Sequence, residues 1–163
     1  MNPDVVHDPR LTAAGLFFEA HDGLIARLAP TLDQAGLSSL DFGALMRLSR
    51  SPGRRLRMSD LAAQLLLSTS GVTRLVDRLQ RGGLVHREAS PEDRRSTYAA
   101  LTPEGSARLD AVLPGHVEDI ENWFTGLFTP AQLTDLTARL QTLRDTVHPN
   151  AAKDTNSTSP AHT

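Results

Sequence analysis

The stretch that decides the fold is residues 61–88, LAAQLLLSTSGVTRLVDRLQRGGLVHRE. Val72, Leu75, Val76 and Leu79 recur at i, i+3, i+4 and i+7, the apolar stripe of an amphipathic helix over 69–81. Ser68 stands where an N-cap hydroxyl satisfies free helix amides, and Gly82-Gly83 stands where glycine commonly ends a helix. The face opposite the stripe carries Ser70, Thr73, Arg74, Asp77, Arg78 and Arg81. Immediately upstream, Leu61, Ala62 and Leu65 turn inward on a shorter helix, 60 to about 66, with Ser59 as the expected cap. Two short helices thus meet across a tight connection.

Downstream, residues 84–89 and 97–101 read as two short strands. The segment between them, about 90 to 96, is too long for a two-residue turn, so the hairpin should project a loop. Thr102 as N-cap with Pro103 at the first helical position then opens another helix. Leu109, Val112, Leu113, Val117, Ile120, Phe124 and Leu127 continue its stripe, and Pro114-Gly115 is expected to kink or break it. Thr129-Pro130-Ala131-Gln132 has the spacing of a capping box for a last helix ending near Val147. From His148 the tail, HPNAAKDTNSTSPAHT, is polar and expected to be disordered.

Upstream, Leu16, Phe17, Ala20, Leu24, Ile25 and Leu28 predict a helix over 11–33, with Pro30 disturbing its last turn. Ser38 and Asp41 have capping-box spacing for a second helix, which should stop before Ser51-Pro52-Gly53. The order is therefore four helices, a strand, a charged loop, a strand and two more helices. The domain reading is 1–37 for an N-terminal helix, 38–101 for the compact middle, 102–147 for the C-terminal helices and 148–163 for the tail.

Composition narrows the function. The 163 residues contain no cysteine, which excludes disulfides and thiolate metal sites, and the six histidines show no metal-ligand spacing. No cofactor is expected. The first ten residues hold no apolar run and no stretch approaches a membrane span, so a cytoplasmic protein without membrane association is expected. There is no nucleophile-plus-base arrangement, phosphate-cradling loop or paired carboxylate in an apolar setting, so an enzyme is not expected. The net charge of −2 is unevenly spread: residues 47–95 hold eleven arginines against five acids, between acidic flanks. A basic middle of this kind suits a polyanion, although a solvated arginine-rich face gives the same count.

A mainly α fold, a winged helix-turn-helix with a two-stranded β-wing and an added helical dimerisation region, accommodates this order. Such a motif places its second helix in the major groove of DNA. Arg74 and Arg78 could each donate a bidentate pair to guanine, and Ser70 and Thr73 could reach bases or phosphates. Ser68 and Thr69 open the helix, whose N-terminus presents amide donors to a phosphate. Arg94 and Arg95 on the projecting loop could enter an adjacent minor groove, while one carboxylate, Glu92 or Asp93, could hold a guanidinium in a fixed direction. An ordinary amphipathic surface helix and a solvated turn would carry the same residues.

Residues 57–105 resemble the winged helix-turn-helix of the MarR family, the multiple antibiotic resistance regulators. The matching pieces are Leu61-Ala62, Leu67-Ser68, the run Val72 to Leu79, Gly83-Leu84-Val85 and Arg87, then Asp93-x-Arg95 followed by Leu101-Thr102-x-x-Gly105. One departure is Leu66, where the family often has glycine. The resemblance implies a homodimer built from the first and last two helices, with double-stranded DNA as partner. It also implies a ligand-responsive transcriptional regulator, usually a repressor, on a palindromic operator. The effector it implies is a small aromatic or anionic molecule bound where the dimer helices meet the reading head. Phe17, His21, Phe42, Met46, Arg47 and His116 are the residues that could line such a pocket, each also readable as plain core or surface. The alternative function is a winged-helix module that binds a protein and no DNA.

Overall fold

The computed structural model describes residues 3–89 and 96–152. A short helix α1 (Pro3–Val6) precedes α2 (Pro9–Gln34), α3 (Ser39–Arg50), β1 (Arg55–Arg57), α4 (Met58–Gln64) and α5 (Thr69–Arg81). The hairpin strands β2 (Val85–Ala89) and β3 (Thr97–Leu101) follow, then α6 (Pro103–Trp123) and α7 (Pro130–Val147).

The capping signals act as their chemistry requires. Ser38 Oγ accepts from the Asp41 amide while the Asp41 carboxylate accepts from the Ser38 amide, a reciprocal capping box. Thr129 and Gln132 form a second at the start of α7. Ser68 accepts from Gly71 N–H, and Thr102 from Gly105 N–H. Two caps differ from expectation. Asp8 caps α2 two residues earlier than the apolar stripe suggested. At α4 the N-cap is Arg57, not Ser59, and it caps with backbone alone because β1 delivers an extended chain straight into the helix.

Neither internal proline breaks its helix. α2 runs through Pro30 to Gln34, and α6 runs through Pro114 to Trp123. Packing holds α6 on both sides of the lost donor, since Val112 and His116 are both buried. Hydrogen bonds also tie α6 to α2: Thr31 Oγ1 donates to Asp119, and Arg108 Nη1 donates to the Ala35 carbonyl at 2.8 Å.

The sheet has three strands, not two, in the order β1-β3-β2 and wholly antiparallel. β1 pairs Leu56 with Ala99, and β2 pairs Arg87 with the same Ala99. Leu56 and Ala99 close the core beneath, while Arg55, Arg57 and Tyr98 occupy the outer face, where both guanidiniums lie over the Tyr98 ring at 5.0 and 5.8 Å.

The core sits under this sheet. Leu45, Leu48, Leu61, Val72, Leu75, Val76 and Val85 are its largest fully buried side chains, drawn from α3, α4, α5 and β2. Leu109 and Val112 of α6 and Leu32 of α2 join from outside. Gly105 is what lets α6 start so close: a Cβ there would lie 2.1 Å from the Leu84 carbonyl oxygen. Thr102 completes the junction, donating its hydroxyl to Gly83 O at 2.7 Å and its amide to Leu84 O at 3.1 Å.

The α4–α5 turn is a Schellman motif. Leu67 N–H bonds Ala62 O at 2.9 Å and Leu66 N–H reaches Ala63 O at 3.4 Å. Leu66 occupies the left-handed position that glycine usually takes, at φ 53°. For an L-residue this costs about 1–2 kcal/mol. The residues after α7 also differ from expectation. His148 to Ala152, assigned to the polar tail, form a 3-10 turn (Pro149–Ala152) that packs against α4.

Candidate nucleic-acid interface

α5 buries Val72, Leu75, Val76 and Leu79 and turns its other face outward. That face is held by its neighbours in a graded way. Thr69, Ser70, Thr73, Arg74 and Arg78 are all exposed. Ser68 Oγ and Ser70 Oγ lie 3.2 Å apart at the helix start, and Thr73 donates its hydroxyl to Thr69 O at 2.8 Å. The proton of Thr73 is thereby committed inward, leaving oxygen lone pairs facing out. Arg74 makes no hydrogen bond or ion pair among the described residues.

Arg78 is different. Its Nε and Nη2 both donate to Asp41 Oδ1, at 3.1 and 2.6 Å, although the two residues are 37 positions apart. The Asp41 side chain is 8% exposed and that of Arg78 is 49% exposed. Burial by itself disfavours the Asp41 charge, but hydrogen bonds from Arg78 and Ser38 outweigh it and hold the carboxyl below its usual range. One carboxylate therefore caps α3 and orients an arginine of α5. The sequence marks Asp41 only as a cap, and its second role depends on a packing that no local spacing reveals.

Arg87 on β2 ties the wing to the same helix. It reaches Asp77 Oδ1 at 2.8 Å, Gln80 Oε1 at 2.9 Å and the Thr73 carbonyl at 3.4 Å. Asp77, Gln80 and Arg87 were absent from the expected site, yet they set the angle between hairpin and helix. On the outer sheet face Glu88 accepts from Arg55 at 3.0 Å and contacts His86 at 2.7 Å. The Arg55 and His86 bonds keep its carboxyl below the ordinary range. The hairpin is thus anchored from both faces. Asp93, Arg94 and Arg95 lie outside the described residues.

The residues expected around an effector divide into two groups. Phe17 and His21 sit exposed on α2, Phe17 edge-on to Phe18 at 5.7 Å and His21 beside Asp22 at 2.9 Å. Phe42 of α3 and His116 of α6 meet instead, ring centroids 4.5 Å apart. Met46 packs on the core, and Arg47 is half-buried on the same helix. His116 Nδ1 and Arg47 Nε are both buried without a hydrogen-bond partner among the described residues. Burial pushes the His116 imidazole below its ordinary pKa despite the nearby Asp119 charge, and burial together with Arg50 lowers that of Arg47. Among the described residues no group of histidines and acids could hold a metal ion.

A sequence model of the MarR family matches residues 35–96, which run from just after α2 to the residue before β3. The HTH-type transcriptional repressor YetL of Bacillus subtilis is 40% identical over 85 residues, covering 52% of this chain and 51% of YetL. The match to that curated relative therefore spans about half its length. Among solved structures, the MarR family regulator Sco3205 of Streptomyces coelicolor, determined in complex with DNA, is 32% identical with a TM-score of 0.78, over 85% of this chain and 88% of that one. AbsC, a MarR family regulator from the same organism, is 32% identical with a TM-score of 0.80, over 87% and 96%. With the helix order, the capped α5 and the junction at Thr102 and Gly105 all in place, the chain belongs to the MarR family of transcriptional regulators.

Proposed function

We propose that this chain is a homodimeric, ligand-responsive transcriptional repressor that acts on DNA directly and not as an enzyme. In each copy α5 enters a major groove of a palindromic operator, and the loop between β2 and β3 reaches the adjacent minor groove. The observation that carries this reading is the uneven use of arginine around α5. Arg78 and Arg87 are tied to Asp41 and Asp77, whereas Arg74 stands exposed between them with no partner among the described residues. An arginine held upright by a rigid helix and left uncommitted suits bidentate contact with guanine. Ser68, Thr69, Ser70 and Thr73 give the same face hydroxyls and amide donors for phosphates. A relative named as a repressor and a family structure solved on DNA support the assignment.

The dimer rests on exposed apolar surface outside the reading head. Leu16, Phe18, Val117, Leu127, Leu143 and Val147 are 43–69% exposed, on α2, α6, the turn after it and α7. Exposed apolar side chains on these helices suit an interface with a second copy. The dimerisation region is then 1–37 with 102–147, and the DNA-binding unit 38–101. The effector site is proposed around Phe42, Met46, Arg47 and His116, where two buried polar atoms lack partners and an aromatic anion would supply both stacking and acceptors. Phe17 and His21 would join it only from a partner copy. No helix among the described residues is long and apolar enough to cross a membrane, in keeping with a cytoplasmic protein.

Salt dependence tests the reading. Neutralised phosphates release counterions, so log K should fall linearly with log salt, with a slope near −0.9 for each phosphate contacted, roughly. Binding to duplex DNA that is absent or insensitive to salt would favour a protein-binding module instead.

A further inference from the structure

The carbonyl of Ala63 is the weakly satisfied point of the helix-turn-helix. Within the turn it accepts from the Leu66 amide at 3.4 Å, at the long end for a hydrogen bond, and shares the Leu65 amide with Leu61 O. Leu66 itself is held at φ 53°, a conformation its side chain opposes. A side-chain donor comes from the far end of the chain: His148 Nε2 lies 3.1 Å from Ala63 O, 85 residues away in sequence.

The surroundings of His148 show how it gets there. It is the C-cap of α7, with φ −144° and ψ 64°, and its own amide bonds Arg144 O at 2.7 Å. The chain turns at this residue and lays Pro149–Ala152 against α4, with Ala151 N–H bonded to His148 O at 3.0 Å. No residue of α7 is buried, and the turn beyond it packs against both α7 and α4.

The geometry points to His148 as a positioning residue for DNA reading: with the turn 149–152 it forms a strap that fixes the strained α4–α5 connection, and so the angle of α5, from the C-terminal end of α7. This rests on the DNA-binding reading of α5. It also supplies a mechanical link, because any shift of α7 pulls on the carbonyl that closes the turn. A neutral imidazole with its proton on Nε2 and a charged one both donate to a carbonyl, so the strap needs no particular charge state.

His148→Ala, His148→Gln, Leu66→Gly and the double variant Leu66→Gly/His148→Ala form the test, in the full chain, on one DNA duplex at one salt concentration. His148→Ala is expected to bind DNA three- to tenfold more weakly, with dimer dissociation unchanged and faster hydrogen exchange at the Leu66 and Leu67 amides. Gln, which can present an amide donor to the same carbonyl, should recover part of the loss. Glycine at 66 removes the strain that the strap opposes, so the further effect of His148→Ala should shrink to less than twofold in that background. A His148→Ala protein with parental affinity and exchange, or an equal loss with and without Leu66→Gly, would overturn the proposal. If the parent binds no DNA, the functional reading fails by itself, and unaltered exchange at Leu66 and Leu67 in His148→Ala would still refute the strap.

Discussion

The reading head and the helices outside it use the same kinds of residue in opposite ways. Between α3 and β3 most large aliphatic residues are buried, and Leu45, Leu48, Leu61 and Val76 have no exposed surface at all. In α7 nothing is buried, and α2 buries only Leu32 among its 26 residues. Leucine is plentiful in both regions, so composition does not make the difference. The head closes its core within one chain, because three helices and a small sheet enclose a common centre. The outer helices α2 and α6 pack on each other and on α3 along one side and leave another face uncovered. A region that closes its own core and a region that the proposed dimer would complete thus differ in where their leucine side chains end up.

That contrast can be broken by substitution. Leu75→Ala, at a side chain only 1% exposed, is expected to destabilise the head by about 2–5 kcal/mol, independent of protein concentration. Leu143→Ala, at a side chain 43% exposed, should leave the melting temperature of the dilute monomer within error. Calorimetry at two concentrations checks both. Equal losses in the two variants would mean that α7 is part of a monomeric core.

Asp41→Ala comes next, at about 1–3 kcal/mol, since it removes a buried acceptor from both the α3 cap and Arg78. Urea titration measures it. The acid side of the pH profile gives a second readout. The folded pKa of Asp41 is depressed, so its contribution is present above the ordinary value of 3.8 and is lost as pH falls through the folded value. The parent should therefore lose its advantage over Asp41→Ala in that acid range.

Val117→Asp addresses the other region. Val117 is 58% exposed on α6, and a carboxylate there should weaken self-association at least tenfold, about 1.4 kcal/mol, without changing the fold of the head. Sedimentation and circular dichroism together distinguish the two effects. The smallest expected effect belongs to His116. Burial lowers its pKa, so the folded state favours the neutral ring, and below the ordinary value of 6.5 the unfolded chain takes up the proton first. Stability should therefore fall as pH drops below that value, and His116→Phe should flatten this part of the profile relative to the parent.

Much of the head was legible because its signals are local. The stripe from Val72 to Leu79, the Ser68 cap and the glycines after Arg81 all act within one helix, and α5 begins and ends where they place it. β1 was not legible: Arg55-Leu56-Arg57 becomes a strand only because β3 offers an edge, with Leu56 set opposite Ala99. Pro30 and Pro114 leave their helices unbroken for the related reason that packing overrides a local preference. For the site, the outward face of α5 could be read from periodicity, but the sharing of its arginines could not. Arg74 and Arg78 look equivalent at four residues' spacing, and only the approach of α3 shows that one of them is paired.

That inequality leads to the most direct measurement. Sites selected from random duplexes by the parent protein should be near-palindromes with half-sites about 10 base pairs apart. On such a site and a scrambled duplex, Arg74→Ala should reduce the difference in binding free energy by about 1–3 kcal/mol, with little change in nonspecific affinity. Discrimination equal to the parent's in Arg74→Ala would contradict the account and remove the exposed face of α5 from sequence readout.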